Sequence, residues 1–444
     1  MEKIMRIMGQ WDEKRLGFPY KDILVYVVLF FFMPPACLRF LDGMKMVNSV
    51  LGLGRYLITA VALCEFCLSR RSRRENNHVF FWMVSIMSLL MIVTMKMNGT
   101  IYLTAALSCI TVIGWVIFNA KLFFQDRERL LLYYERFLFV GLLLHFLSQL
   151  IFKGGMTLGS GGKIFFLGAK NNMTVYVILY LLAYLLQEKT MKRKNMWNYL
   201  FFAMVDIFVI VNKSATSILI VVCVQFFWIL MANLSRWPIA VKGLRVTAIA
   251  AIGIIVLFFA IEIWCGSHMF ISGMLAGLFH KNVTFSGRKA IWALAVSFIA
   301  QFPYWGQGLD VKYDPWGNGK YVYSAHNTFL DLGVKYGFFM MILYAILTVT
   351  VVLSVYKWKE EKKGIILLAI NIALLAAFQM EALAGTYPAW MILLLSYLLV
   401  KERNIREKIT GEKGSGLFKK NTTEAKPDTG QTDGENGAKA CAES

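Results

Sequence analysis

Between Ser286 and Gly337 an otherwise apolar chain gathers most of its polar chemistry. The segment opens with Ser286-Gly287-Arg288-Lys289, passes Trp292, turns at Pro303 and Gly306-Gln307-Gly308, and closes on Ala325-His326-Asn327-Thr328-Phe329-Leu330, with Gly333 and Gly337 beyond. The planar guanidinium of Arg288 suits a two-pronged grip on a phosphate or pyrophosphate. Its plainer reading is a single cation, solvated or paired with a lipid phosphate. His326 follows a stretch holding Asp310, Lys312, Asp314, Lys320 and the tyrosines Tyr313, Tyr321 and Tyr323. An imidazole titrates near neutral pH, so it can take a proton as general base or hold a phosphate as imidazolium. Its plainer reading is a histidine that caps or packs at a helix start. Lys213, in Asn212-Lys213-Ser214-Ala215-Thr216-Ser217, sits in a tight turn between two apolar runs and can face the same cavity as Arg288. His268, His280 and His326 share this region but no ligand spacing, so no metal site is expected.

The elements that must position these residues are apolar. The chain has 444 residues, is 58% hydrophobic and only 17% charged, with the charges clumped between long apolar runs. In lipid a backbone amide finds no partner but its own helix, so the expected fold is an all-α polytopic membrane protein. Candidate spans at 23–41, 50–68, 79–95, 101–120, 137–152, 173–187, 196–211, 214–232, 246–264, 336–356, 364–380 and 387–400 make about twelve, each near the ~20 residues that cross a bilayer. Pro34-Pro35 should kink or end the first span early. Residues 1–400 form one membrane domain, with a large extracytoplasmic loop at about 265–335. The apolar run from Arg288 through Trp292 to Phe298 predicts a short helix in the outer interface, with Trp292 at headgroup depth. No cleavable signal stands out before the first span.

The net charge of +20 does not point to nucleic acid, because most of the 47 Lys and Arg fall in alternate turns and the two termini. Basic residues on one side of a membrane are an orientation signal, which places both termini in the cytoplasm and the Ser286–Asn327 stretch outside. The glycine-rich stretch 153–172 reads as a flexible loop, or as backbone N–H groups offered to an anion. Residues 401–444 are polar, with little to bury, and read as a disordered cytoplasmic tail. Cys64 and Cys67 have CxxC spacing inside an apolar span beside Glu65, and read as a buried pair of small hydrophobes rather than a redox site. Arg55, Glu65, Asp206 and Glu262 inside spans, and Asp331 and Glu381 near the outer ends, are ionisable groups that lipid would penalise. Arg55, Glu65 and Asp206 can pair with one another or with polar groups of the bundle.

Gly287-Arg288 with Trp292, then Pro303 and Gly306-Gln307-Gly308, then the Ala325–Leu330 run with Gly333 and Gly337, resembles the O-antigen ligase/polymerase superfamily. The resemblance implies a bacterial cytoplasmic (inner) membrane protein of ten to fourteen helices that transfers glycans from undecaprenyl-pyrophosphate carriers, with no cofactor. It implies that Arg288 binds the carrier pyrophosphate, that His326 contacts the reacting sugar or phosphate, and that Asn327 and Trp292 belong to the substrate site. Lys213 stands where the family usually has an arginine, which keeps the charge but loses the fork. The implied partners are a lipid-linked oligosaccharide as donor and as acceptor, the bilayer, a chain-length regulator and a flippase. Joining repeat units (a polymerase) is the favoured reading; moving the finished glycan to another acceptor (a ligase) shares the motif. A flippase would suit the span count equally, but it would be expected to show two related halves and discontinuous helices at mid-depth, whereas this chain concentrates its polar residues in one asymmetric outer loop.

Overall fold

The computed structural model describes residues 20–39, 43–76, 78–100, 102–159, 162–192, 195–233, 288–317, 319, 321–358 and 361–410. The expected span 246–264 with Glu262, and the first part of the large loop with His268 and His280, lie outside the described residues. Apolar runs without internal breakers become helices: α1 (Tyr20–Phe32), α2 (Lys45–Leu68), α3 (Arg70–Asn76), α4 (Val79–Met97), α5 (Leu103–Gln125), α6 (Arg127–Ile151), α7 (Met173–Leu185), α8 (Glu188–Lys192), α9 (Asn195–Asn212) and α10 (Ala215–Asn233). After the undescribed stretch come α11 (Arg288–Gln301), α12 (Thr328–Tyr336), α13 (Phe338–Tyr356), α14 (Lys362–Met380) and α15 (Tyr387–Thr410). Among the described residues six helices are long and apolar enough to cross a membrane: Met46–Leu68, Val79–Met97, Leu103–Gln125, Arg127–Ile151, Phe338–Tyr356 and Lys363–Met380. This is consistent with an all-α membrane protein, with fewer full-length spans than the twelve expected. Shorter apolar helices account for part of the difference, at Asp22–Phe32, Met173–Leu185, Met196–Asn212 and Thr216–Phe226.

Local chemistry sets the helix ends. Helix α1 stops at Phe32, and Pro34 and Pro35 follow as non-helical residues, because proline removes a donor and clashes with the preceding turn. The glycine-rich stretch is no open loop: β1 (Thr157–Gly159) and β2 (Gly162–Ile164) pair as an antiparallel hairpin. Helix α15 runs on to Thr410, so residues 401–410 belong to it rather than to a disordered tail; Glu402 there is held by Arg127 at 2.8 Å. Cys64 and Cys67 lie exposed on α2, not buried, because a span that is apolar all round gives no pattern to tell its lipid side from its core side. Glu65 meets Lys121 at 2.6 Å, and Asp206 accepts from Gln225 at 2.6 Å, so these two in-span carboxylates have local partners.

The centre of the bundle is α7, almost entirely buried and packed against α6, α10, α14 and α15. The helix ends sort into two sets around it. At one end Arg127, which starts α6, meets Glu188 beyond α7 at 3.0 Å and Glu402 on α15 at 2.8 Å. Lys363, in the first turn of α14, lies 3.7 Å from Glu188. At the other end Asn212 donates to the Lys170 carbonyl at 2.7 Å, and Thr174 and Ser217 share a hydrogen bond at 2.6 Å. Helix α14 rises about 28 Å over its length, so Met380 and Glu381 lie at the second end, with the turn that carries Lys213.

The loop joining α11 to α13 has a small core of its own, made of Ile291, Trp292, Ala295, Ile299, Val311, Tyr313, Ala325, Leu330 and Val334. Two glycines let its backbone dock on the α12–α13 junction. Gln307 N–H donates to the Val334 carbonyl at 2.7 Å, and Phe338 N–H to the Pro303 carbonyl at 2.7 Å. A Cβ on Gly337 would stand 2.1 Å from the Tyr304 carbonyl oxygen, and one on Gly306 2.5 Å from that of Val334. Both have positive φ, +87° and +61°. Gly337→Ala should therefore cost about 3 kcal/mol or more, since left-handed strain and overpacking each cost about 1–3 kcal/mol. Gly317→Ala, at φ +61° but with nothing within 4 Å, should carry only the strain. Thermal unfolding of the two purified variants checks the order; equal losses would contradict it.

Candidate functional site

Arg288 and His326 are brought together by a residue remote from both in sequence, Glu381. Arg288 is the first residue of α11, and its Nη2 donates to Glu381 Oε1 at 2.6 Å. Its Nη1 donates to the Met380 carbonyl at 2.6 Å. That carbonyl lies in the last turn of α14 and has no partner within the helix, so a cation is favourable there. Glu381 caps the same end, where its own negative charge is disfavoured, and Arg288 compensates for it. The Arg288 and Glu381 side chains keep only 13% and 7% of their accessible surface. His326 Nδ1 lies 3.6 Å from Glu381 Oε2, beyond hydrogen-bond distance but close enough for a small ring rotation to close it.

The local sequence explains why His326 points there. Asn327, not His326, caps α12: its Oδ1 accepts from Phe329 N–H and Leu330 N–H, both at 3.0 Å. Asn-Thr-Phe-Leu is a sequence that starts helices, because the amide oxygen takes two of the orphan donors of the first turn. The Asn327 Nδ2 donates to Gln379 Oε1 at 3.0 Å and to the Gln379 carbonyl at 3.2 Å. Thr328 Oγ1 donates to the Glu381 carbonyl at 2.6 Å and accepts from Leu383 N–H at 2.9 Å. The α12 start is thus tied to the end of α14 on both sides of Glu381. His326, just before the cap, has φ +48°, a left-handed conformation that is costly for a residue with a Cβ. It is half-buried, with 35% of its side chain accessible, while Asn327 is fully buried.

Two of the sequence-expected substrate contacts are therefore relocated. Asn327 is occupied as a helix cap, and no part of it is exposed. Trp292 is 1% exposed and packs in the core of the loop rather than at a membrane surface. Ile291, Trp292, Ala295 and Ile299 fall on one helical face, and that face turns inward onto α12 and the segment containing Val311 and Tyr313. Trp292 thereby sets the position of the helix whose first residue is Arg288.

Lys213 is exposed, in a turn with φ +54°, at the same end of the bundle as Glu381. Gln149 Nε2 donates to Asn212 Oδ1, Asn212 donates to the Lys170 carbonyl, and Ser214 meets Asn171 at 3.3 Å, so both sides of the turn are fixed. Helix α10, which starts there, packs along α14. Among the described residues no hydrogen bond or ion pair joins Lys213 to Arg288 or His326. No group of three or more His, Cys, Asp or Glu suited to a metal ion occurs among the described residues. Burial, and then the nearby Asp331 carboxylate, push the Tyr313 hydroxyl above its ordinary range, so it stays neutral and protonated. The signal for Glu381 in the sequence is an acidic residue closing an apolar helix at its dipole-negative end, which demands a nearby cation.

The family model described as O-antigen ligase matches residues 199–345, a stretch containing Lys213, Arg288, Trp292, His326 and Asn327. No curated protein matches the chain. The family match supports membership of the O-antigen ligase/polymerase superfamily, whose members are membrane glycosyltransferase-like enzymes, and it is equally compatible with ligase and polymerase chemistry. Together with the apolar helices it makes this a multi-pass membrane protein. Glu381 lies beyond the matched residues.

Thr328 offers a test of the scaffold separate from its charges. Thr328→Val keeps the shape but strands the Leu383 N–H and the Glu381 carbonyl, and leaving a buried group unsatisfied costs about 1–3 kcal/mol. Thr328→Ser should recover most of that stability. The melting temperatures of both variants decide it: a Thr328→Val protein as stable as the parent would contradict the role given to this hydroxyl.

Proposed function

We propose that the chain polymerises oligosaccharide repeat units held on undecaprenyl pyrophosphate, by inverting glycosyl transfer at the outer face of a bacterial cytoplasmic membrane. The observation that carries this reading is the Arg288–Glu381–His326 constellation, an anion-binding fork and an imidazole on one carboxylate. The family match supports the reaction class. The positive-inside tendency supports the orientation, because Arg70, Arg71, Arg73, Arg74, Arg127, Arg129, Lys363 and Arg403 gather at the end remote from Glu381.

In this mechanism the hydroxyl of one lipid-linked unit attacks the anomeric carbon of the glycan on a second carrier. The new glycosidic bond forms as the anomeric carbon–oxygen bond to pyrophosphate breaks, and the electron pair leaves with the pyrophosphate. His326 Nε2 takes the hydroxyl proton, while Glu381, turned to Nδ1, orients the ring and stabilises the imidazolium. Arg288 uses two of its five N–H groups on Met380 and Glu381, which leaves three for phosphate oxygens. Because Glu381 offsets that charge, Lys213 supplies the second cation for the developing pyrophosphate. A pyrophosphate is already a good leaving group, so alignment of two lipids and charge stabilisation supply most of the rate. No nucleotide sugar, metal or cofactor takes part. A chain-length regulator and a flippase are the partners such a pathway uses.

Transfer of a finished glycan to a different acceptor is the second reading, with which the matched family is equally compatible. One experiment tests the mechanism and another separates the two readings. In proteoliposomes holding lipid-linked repeats, Arg288→Lys should lower extension by about 10²–10³, the cost of losing one fixed donor set, while the protein stays folded. Normal long chains from that variant would count against the mechanism. In cells lacking the gene, a polymerase defect leaves a single capped unit, whereas a ligase defect removes even that.

A further inference from the structure

The loop that carries His326 exposes many aromatic rings, and two groups of them have different surroundings. Phe302, Tyr304 and Trp305 lie beside Phe338 and Phe339 at the start of the apolar helix α13, with Tyr304 stacked near Phe339 at 6.2 Å. That group is continuous with a span, and an interfacial aromatic belt accounts for it. Tyr321 and Tyr323 are different. They sit 51% and 48% exposed on a ribbon that also carries Asp310, Lys312 and Asp314, a polar neighbourhood unlike a lipid surface.

The ribbon is fixed. Tyr313 and Val322 exchange both backbone hydrogen bonds, at 2.8 and 2.9 Å, and Tyr313 is fully buried in the core of the loop, against which Val322 packs. Side chains alternate along an extended strand, so with Val322 turned inward Tyr321 and Tyr323 share the outward face, about 6.6 Å apart along the backbone. Lys312 Nζ stands 5.8 Å from the centre of the Tyr321 ring, close enough to orient it, and the side chain remains exposed. Three residues after Tyr323 the chain reaches His326, whose N–H is held by Ser324 Oγ at 3.2 Å.

We propose that Tyr321 and Tyr323 form a saccharide-stacking platform that leads a pyranose chain to His326. The axial C–H face of a pyranose is weakly positive and an aromatic face is negative, so the two stack while the sugar hydroxyls stay free for polar partners. Tyrosine gives such area at low cost in side-chain entropy, having only two torsions to fix. The rings fix the glycan and leave the bond-breaking step to other residues, so they act as binding and specificity residues. The platform deepens the glycosyl-transfer reading and rests on it for the identity of the sugar chain.

The test uses the full chain in nanodiscs with lipid-linked repeats extracted from cells that make the protein, and the free oligosaccharide cleaved from them by mild acid. The pair Tyr321→Ala and Tyr323→Ala should raise the KM for lipid-linked repeats about tenfold or more with kcat little changed. The pair Tyr321→Phe and Tyr323→Phe should restore it, because the ring faces remain. An unchanged KM, a loss confined to kcat, or failure of the phenylalanine pair to rescue would each overturn the platform. A Tyr323→Trp reporter should shift its emission on adding the free oligosaccharide and gain no quenching from brominated phosphatidylcholine. Quenching by the lipid, or no response to the oligosaccharide, would assign these rings to the membrane belt or to bare surface. If the wild-type protein extends no chains, the polymerisation reading fails, while the oligosaccharide titration still decides the platform.

Discussion

Arg288 and Glu381 meet at 2.6 Å, with most of both side chains withdrawn from solvent. Taking two charges out of water is expensive, and their attraction repays it only when the geometry is good and the remaining polar atoms are satisfied. Here the guanidinium also satisfies the Met380 carbonyl, and the Glu381 backbone carbonyl takes the Thr328 hydroxyl. The pair therefore does more than neutralise itself: it binds the start of one helix to the end of another. Everything placed on α11, α12 and the end of α14 takes its position from that junction, His326 included.

The second constraint is backbone contact. The segment 303–308 lies against 334–338 with no room for a Cβ at Gly306 or Gly337, and three backbone hydrogen bonds seal the contact. The core beneath, from Trp292 to Leu330, fills the space between α11 and α12. A loop built this way is a small folded unit seated on the bundle, which lets it present a strained residue such as His326. A left-handed φ at a histidine persists only where the surroundings over-determine it, and here Asn327 and Thr328 anchor the very next residues.

Much of this was legible in the residues. Apolar runs read correctly as helices and Pro34-Pro35 as an early stop. The family pattern linked Arg288 and His326 across the loop, and the family match covers both. Glu381 was visible only as one of several ionisable groups near span ends, because nothing in a linear sequence ties a residue to partners 93 and 55 positions away. Trp292 was misplaced for a related reason: an apolar helical stripe looks the same whether it meets lipid headgroups or the underside of a neighbouring helix. The plainer reading of His326 as a helix cap misses by one position: Asn327, expected in the substrate site, is the cap. Cys64 and Cys67 show the limit of pattern within a span, where both faces are apolar and only packing separates them.

A double-mutant cycle on Arg288→Met and Glu381→Leu, read by unfolding of the purified protein, tests the central junction most directly. Each single change strands a buried charge and should cost about 3–5 kcal/mol, whereas removing both leaves no stranded charge. The double variant should be at least as stable as the weaker single, giving a coupling of about 3 kcal/mol or more. Losses that add to within about 0.5 kcal/mol would mean the two residues act independently, and the site would then not be organised around their contact.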